Sequence, residues 1–179
     1  YKYAVTYYND QTGTRSNPTQ LVSGTGPDEY TKLLLHCEGA DASTTFTDSS
    51  GSAHTVTASG SAQIDDAQYK FGSTSGLFVS GTSDYLYAGN HIDFDPSTAE
   101  YTWDFWVRFS SIAADSALFA YYNDASNWAR CYYNQANDEI RFQFSSGGIP
   151  LSVKNDSVSF ATGTWYHIAV IRGWEGNAN

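Results

Sequence analysis

The stretch that decides the fold runs from Lys32 to Gly81 and contains KLLLHCEG at 32–39, DSSGSAHTVT at 48–57 and KFGSTSGLFVSG at 70–81. Leu33–Leu35 ends in a polar turn, a loop closes on Asp48-Ser49-Ser50-Gly51, and Leu77–Val79 stops at Ser80-Gly81. Short apolar runs bounded by such clusters are strand signals, whereas helices need longer periodic stretches. Turn clusters recur along the rest of the chain, at Gly60, Gly72–Gly76, Gly81–Asp84, Asp93–Thr98, Asn123–Asn127, Asn134–Asp138, Ser145–Gly148, Asn155-Asp156 and Gly163. No window carries a 3.6-residue apolar stripe over three turns. The chain is therefore predicted to be all-β, with helix nearly absent.

Two downstream segments set the strand phase. In YTWDFWVRF, residues 101–109, Tyr101, Trp103, Phe105, Val107 and Phe109 fall on one face and are assigned to the core. Thr102, Asp104, Trp106 and Arg108 form a mixed opposite face, as on a sheet whose outer side is partly covered. WYHIAVI, residues 165–171, is apolar on both faces and reads as a central, doubly buried strand, with Trp165, Ile168 and Val170 in the core.

Hydrophobic residues make up 41% of the 179, and aromatics 16%, which is ample for a core. Charged residues are only 16%, so Ser, Thr, Asn, Gly and Tyr must cover much of the surface. Nineteen acids against nine bases give a net charge of −10, which repels phosphate backbones and anionic membranes. Nucleic-acid binding is not expected. No apolar segment approaches the 18 residues of a membrane span, so membrane insertion is not expected either. Two cysteines, Cys37 and Cys131, are too few for a disulfide scaffold. They read either as two separate buried thiols or as one bridge. No CxxC or HxxxH spacing points to zinc.

Residues 1–24 read as a separate hairpin: YKYAVTYYN alternates, Asn9–Gly13 turns, and TRSNPTQLVSG returns. Residues 25–31, opening on Thr25-Gly26-Pro27-Asp28 just after Gly24, read as a linker. The chain contains no Met and starts inside a strand pattern, so it reads as a piece of a longer protein. Asn155-Asp156-Ser157 is a formal glycosylation sequon, but a single hit in so Asn- and Ser-rich a chain carries no weight.

In order, these segments resemble the laminin-G-like, concanavalin-A-like lectin/glucanase superfamily over about Pro27–Arg172. The resemblance implies an antiparallel jelly-roll β-sandwich at 32–179, incomplete at its C-terminal end because the family continues with further strands. Residues 1–24 are similar to the last two strands of a fibronectin-type-III domain; a hairpin belonging to the main sandwich is the alternative. The implied setting is extracellular. The leading expectation is a non-catalytic adhesion or structural module of a larger phage virion (tail fibre or capsid-associated) or bacterial surface protein. It would bind glycan or neighbouring protein, beside further domains of its own chain or neighbouring subunits. The alternative is an accessory carbohydrate-binding module of a secreted glycan-active enzyme.

Glucanases on the resembled fold carry acids as E-x-D-x-E along one strand. Residues i and i+2 lie about 6.6 Å apart, which suits a retaining pair. No such triplet occurs here. Glu100 and Asp104 would be about 13 Å apart, and Asp93 and Asp95 precede Pro96 at a turn. No G-x-S-x-G elbow exists, and His36, His54, His91 and His167 are scattered. His167 reads as a strand residue that packs and hydrogen-bonds. The resemblance also implies the option of a loop Ca²⁺, with Asp48, Asp84, Asp93 and Asp95 as candidates. Asp48 and Asp84 equally suit turns, where a carboxylate caps backbone N–H groups. For ligand binding, the aromatic and amide-rich segment around 120–135 offers Tyr122, Asn123, Asp124, Asn127, Trp128 and Tyr133. About half of any strand's aromatics face the core, and the rest are free to line a binding face or subunit contact.

Overall fold

A computed structural model of the chain describes residues 6–8, 29–95, 100–155 and 158–173. Most of the 1–24 hairpin, residues 25–28 of the linker and Asp156-Ser157 of the sequon lie outside the described residues. Strands hold 47% of what is described, with one 3₁₀ turn at Ile92–Phe94 and no α-helix among the described residues. The all-β expectation holds.

Two compact units form. One draws on residues within 1–89, 98–107 and 166–179, the other on 90–97 and 108–165. The first unit contains three sheets. One has the order β1 (Thr6–Tyr8), β7 (Tyr101–Arg108), β12 (Trp165–Arg172). A second has the order β2 (Thr45–Thr47), β3 (Thr55–Ser59), β6 (Tyr85–Tyr87). The third pairs β4 (Gln63–Asp65) with β5 (Ser75–Leu77). Thr6–Tyr8 pairs antiparallel with β7, Tyr7 opposite Trp103, so this part of the N-terminal segment is a strand of the first unit's own sheet.

Burial in β7 alternates strictly. Tyr101, Trp103, Phe105 and Val107 are buried, and the residues between them are half-buried. Leu35, Cys37, Phe46 and Ile64 form a second buried cluster, with Leu33, Val56, Ala58 and Leu86 packed against it. Each fully buried side chain of this size stabilises the fold by about 1.5–3 kcal/mol.

WYHIAVI departs from expectation. None of Trp165–Arg172 is buried; His167, Ala169 and Ile171 are exposed and the others half-buried. The strand lies at the edge of its sheet, with β7 its only strand neighbour among the described residues. An apolar pattern on both faces reports what a strand could bury. Its place in the sheet decides what it does bury.

The second unit is an antiparallel meander of β8 (Ser116–Asp124), β9 (Asn127–Asn134), β10 (Glu139–Ser146) and β11 (Ile149–Lys154). Gly147 and Gly148 join β10 to β11 with φ of 62° and 83°. A two-residue hairpin that follows strand twist needs positive φ at both positions, which glycine adopts without strain. Across the sheet, Ala129 pairs with Phe144, Cys131 with Phe142 and Tyr133 with Ile140. These residues share the inner face, where Phe109, Tyr133 and Phe160 meet ring to ring at 5.2–6.0 Å. Both cysteines are buried and no disulfide joins them, in line with the two-thiol reading. Burial pushes the Cys131 thiol up to about 12, which leaves it unreactive.

Phe105→Ala is expected to cost about 3–5 kcal/mol in urea unfolding, the scale for emptying a large aromatic site. Ile171→Ala, at 47% exposure, should cost under about 1 kcal/mol. Equal losses would contradict the edge position of β12.

Candidate functional site

The four candidate calcium acids separate on inspection of their partners. Asp48 is 7% exposed and accepts four hydrogen bonds. Leu34 N and Ser50 N donate to Oδ1 at 2.9 Å, and Ser50 Oγ and His54 N donate to Oδ2 at 2.8 and 2.7 Å. Asp84 accepts from Ser61 N and Thr82 Oγ1 on Oδ1 and from Val79 N on Oδ2, each at 2.6 Å. A Cβ on Gly60, whose φ is +68°, would run into this carboxylate and the Thr82 carbonyl, so the turn requires glycine there. For both acids burial raises the pKa, and the hydrogen bonds outweigh it, holding the carboxyl below its ordinary 3.8. Calcium needs oxygens with free lone pairs. Here N–H and O–H donors take up both oxygens of Asp48 and Oδ1 of Asp84, so both acids act as turn caps. Asp93 lies in the 3₁₀ turn, with its Oδ2 3.4 Å from His91 Nδ1, and Asp95 closes that turn by donating N–H to the Ile92 carbonyl.

On the partly covered face of β7, Asp104 accepts or shares a proton with His167 Nε2 at 3.0 Å, and the His167 ring stacks on Trp106 at 5.2 Å. Lys70 Nζ lies 4.4 Å over the same indole and Phe71 meets it edge-on. His167 thus packs and hydrogen-bonds, as its strand position predicts.

The ligand-binding candidates divide between a turn, a core and a face. Asp124 Oδ1 accepts from Ser126 N at 2.7 Å and Asn127 N at 3.0 Å, while its Oδ2 accepts from Asn123 and Asn127 side chains. Hydrogen bonds from Asn127, then Ser126, hold its carboxyl below the ordinary value. These three residues build the β8–β9 hairpin. Tyr133 is 2% exposed and donates its hydroxyl to Asp138 Oδ1 at 2.9 Å, so it serves the core and not a ligand face.

Tyr122 and Trp128 face each other across β8 and β9 on the outer side of the sheet, with Tyr122 65% exposed. The same side carries residues the sequence did not single out. Arg130 lies between Trp128 and Tyr132, its guanidinium 5.4 and 5.2 Å from the two ring centroids. Gln143 Oε1 accepts from Arg130 Nε at 2.9 Å and from an Nη at 2.6 Å. Ala120 pairs with Arg130 and Ala117 with Tyr132, so little bulk crowds these groups from β8. Beyond them, buried Glu139 pairs with Arg141 and with Lys154 Nζ at 3.3 Å. Burial raises the Glu139 pKa, and the two cations outweigh it and hold it low. The signal that could have found this face is period two: Trp128, Arg130 and Tyr132 alternate with small or core residues.

A cavity of about 360 Å³ is lined by Asn137, Asp138, Glu139, Lys154, Asn155, Val158 and Ser159. Its two carboxylates are engaged, Asp138 by Tyr133 and the Phe160 N–H and Glu139 by its cations.

A sheet-built domain with an open aromatic face is the form of a lectin-like binding or structural module. Residues 80–179 match the laminin-G-type family described as the concanavalin A-like lectin/glucanases superfamily, and the chain belongs to it. No match was found among curated proteins or among solved structures. No helix among the described residues is long and apolar enough to cross a membrane. The match does not extend to the fibronectin-type-III likeness of residues 1–24.

Asp48→Ala strips the acceptor from three backbone N–H groups and should cost about 2–4 kcal/mol in denaturant unfolding. Because the folded pKa lies below the unfolded value, the stabilisation is full above about pH 4 and is lost as pH falls through the folded pKa. Stability that is flat from pH 6 to pH 2 would contradict this network.

Proposed function

We propose that this chain is a non-catalytic, lectin-like module of a larger extracellular protein, a phage virion component or bacterial surface protein, and that it holds glycan on the outer face of β8–β11. The observation that carries the reading is the sharing of one solvent-facing side by Tyr122, Trp128, Arg130, Tyr132 and Gln143. Aromatic rings offer flat apolar surface to the C–H faces of a sugar. Gln143 and Arg130 add hydrogen-bonding groups beside those rings, the pairing of apolar surface with few placed polar groups that small-ligand sites use. Composition agrees, with charged residues sparse and Ser, Thr, Asn and Tyr abundant.

The non-catalytic part rests on the fate of the acids. Asp93 and Asp95 belong to a 3₁₀ turn, Asp104 is bonded to His167, and Glu139 is paired with two cations. These local engagements support the non-catalytic reading over a retaining or inverting carboxyl pair. An accessory carbohydrate-binding module attached to a glycan-active enzyme would use the same face and differ only in its neighbouring domains.

The test is a glycan array followed by calorimetry with Trp128→Ala. The variant is expected to lose about tenfold or more in affinity while still unfolding cooperatively, since the stacking surface is lost and Trp128 is only half-buried. Unchanged affinity in a folded Trp128→Ala protein would remove this face from the account.

A further inference from the structure

We infer that the ligand of the β8–β11 face is an acidic glycan whose carboxylate is bound by Arg130, an inference that rests on reading that face as the glycan platform. The chain carries nine bases and nineteen acids, yet three of the bases, Arg130, Arg141 and Lys154, point to one side of one sheet. Arg141 and Lys154 are taken up by Glu139. Arg130 is not. It is exposed, and its partners are an amide oxygen and two aromatic rings, with no carboxylate paired to it among the described residues.

This is an oriented cation and not a loose surface charge. Gln143 engages the Nε edge of the guanidinium through two donors, and the Trp128 and Tyr132 ring centroids lie within 5.4 Å of its central carbon. Five N–H donors exist and Gln143 uses two, which leaves the end bearing both Nη atoms with parallel donors. That end matches the two oxygens of a carboxylate, and the match is bidentate. A neutral sugar would use the rings and leave this fork facing water. A sugar acid uses both: its ring on Tyr122 and Trp128, its carboxylate on Arg130. The net charge of −10 opposes anionic ligands at long range, so recognition must come from this local geometry.

The experiment measures binding of the 179-residue chain to acidic oligosaccharides, each beside a neutral counterpart: sialyllactose with lactose, and an oligogalacturonate with its methyl ester. The expected result is about tenfold or greater preference for the acidic member of at least one pair. Arg130→Gln should abolish that preference while Trp128→Ala weakens both members. Arg130→Lys keeps the charge, loses the fork, and should lose most of the preference; it serves as the test if Arg130→Gln does not fold. If neutral and acidic members bind equally and the Arg130 variants change nothing, the carboxylate assignment is overturned and the glycan platform stands. If no member of either pair binds, both readings fall.

Discussion

The register of β9 between β8 and β10 is the constraint on which the second unit and its proposed glycan face depend. Cys131 pairs with Phe119 on one side and Phe142 on the other, Tyr133 with Ile140, and Ala129 with Phe144. These residues are apolar and face inward together. Side chains alternate with period two, so a slip of one residue would turn Trp128, Arg130 and Tyr132 into the core and expose Cys131 and Tyr133. The cost of burying an arginine without a carboxylate forbids that slip. The packing that makes the core therefore also presents the outer face.

A second theme is the use of carboxylates as turn caps. Asp124 gathers donors from its own hairpin, while Asp48 and Asp84 each tie a turn to a second segment, through Leu34 N and Ser61 N. In a chain with few charged residues and, among the described residues, no α-helix, the loops must find acceptors for their own N–H groups, and short acidic side chains provide them. Much of the acid excess is thus employed in local structure. It leaves the Arg130 face as a local exception to the sign of the whole chain.

Much of the fold was legible in the sequence because period two and turn chemistry are local signals. The β7 phase, with Trp103, Phe105 and Val107 inside, follows from alternation alone, and the turn at Ser145–Gly148 follows from two glycines. The edge position of β12 was not legible, because WYHIAVI encodes what it can bury and not how many strands flank it. The site divided for the same reason. Tyr122 and Trp128 were named among the aromatics of 120–135 without their face being fixed, and their pairing across the hairpin brought them together. Tyr133 was misassigned because a strand's two faces can be ordered only once one is fixed to the core. Arg130 escaped notice because a single arginine has no motif; its meaning lies in Gln143, thirteen residues away and directly opposite. Asp48 and Asp84 carry the composition of calcium ligands, and only the direction of the surrounding N–H groups distinguishes a cap from a metal site.

The central claim is the location of the binding face, and nuclear magnetic resonance maps it most directly. Titration of the isotope-labelled chain with sialyllactose or oligogalacturonate should shift the Trp128 indole N–H, the Arg130 Nε–H and the Gln143 side-chain amide, together with the β8 and β9 backbone amides around Tyr122 and Tyr132. Signals from Trp106 and His167 should stay in place. Shifts confined to the Trp106–His167 cluster or to the Asp48 and Asp84 loops, with the β8–β11 sheet silent, would contradict the account.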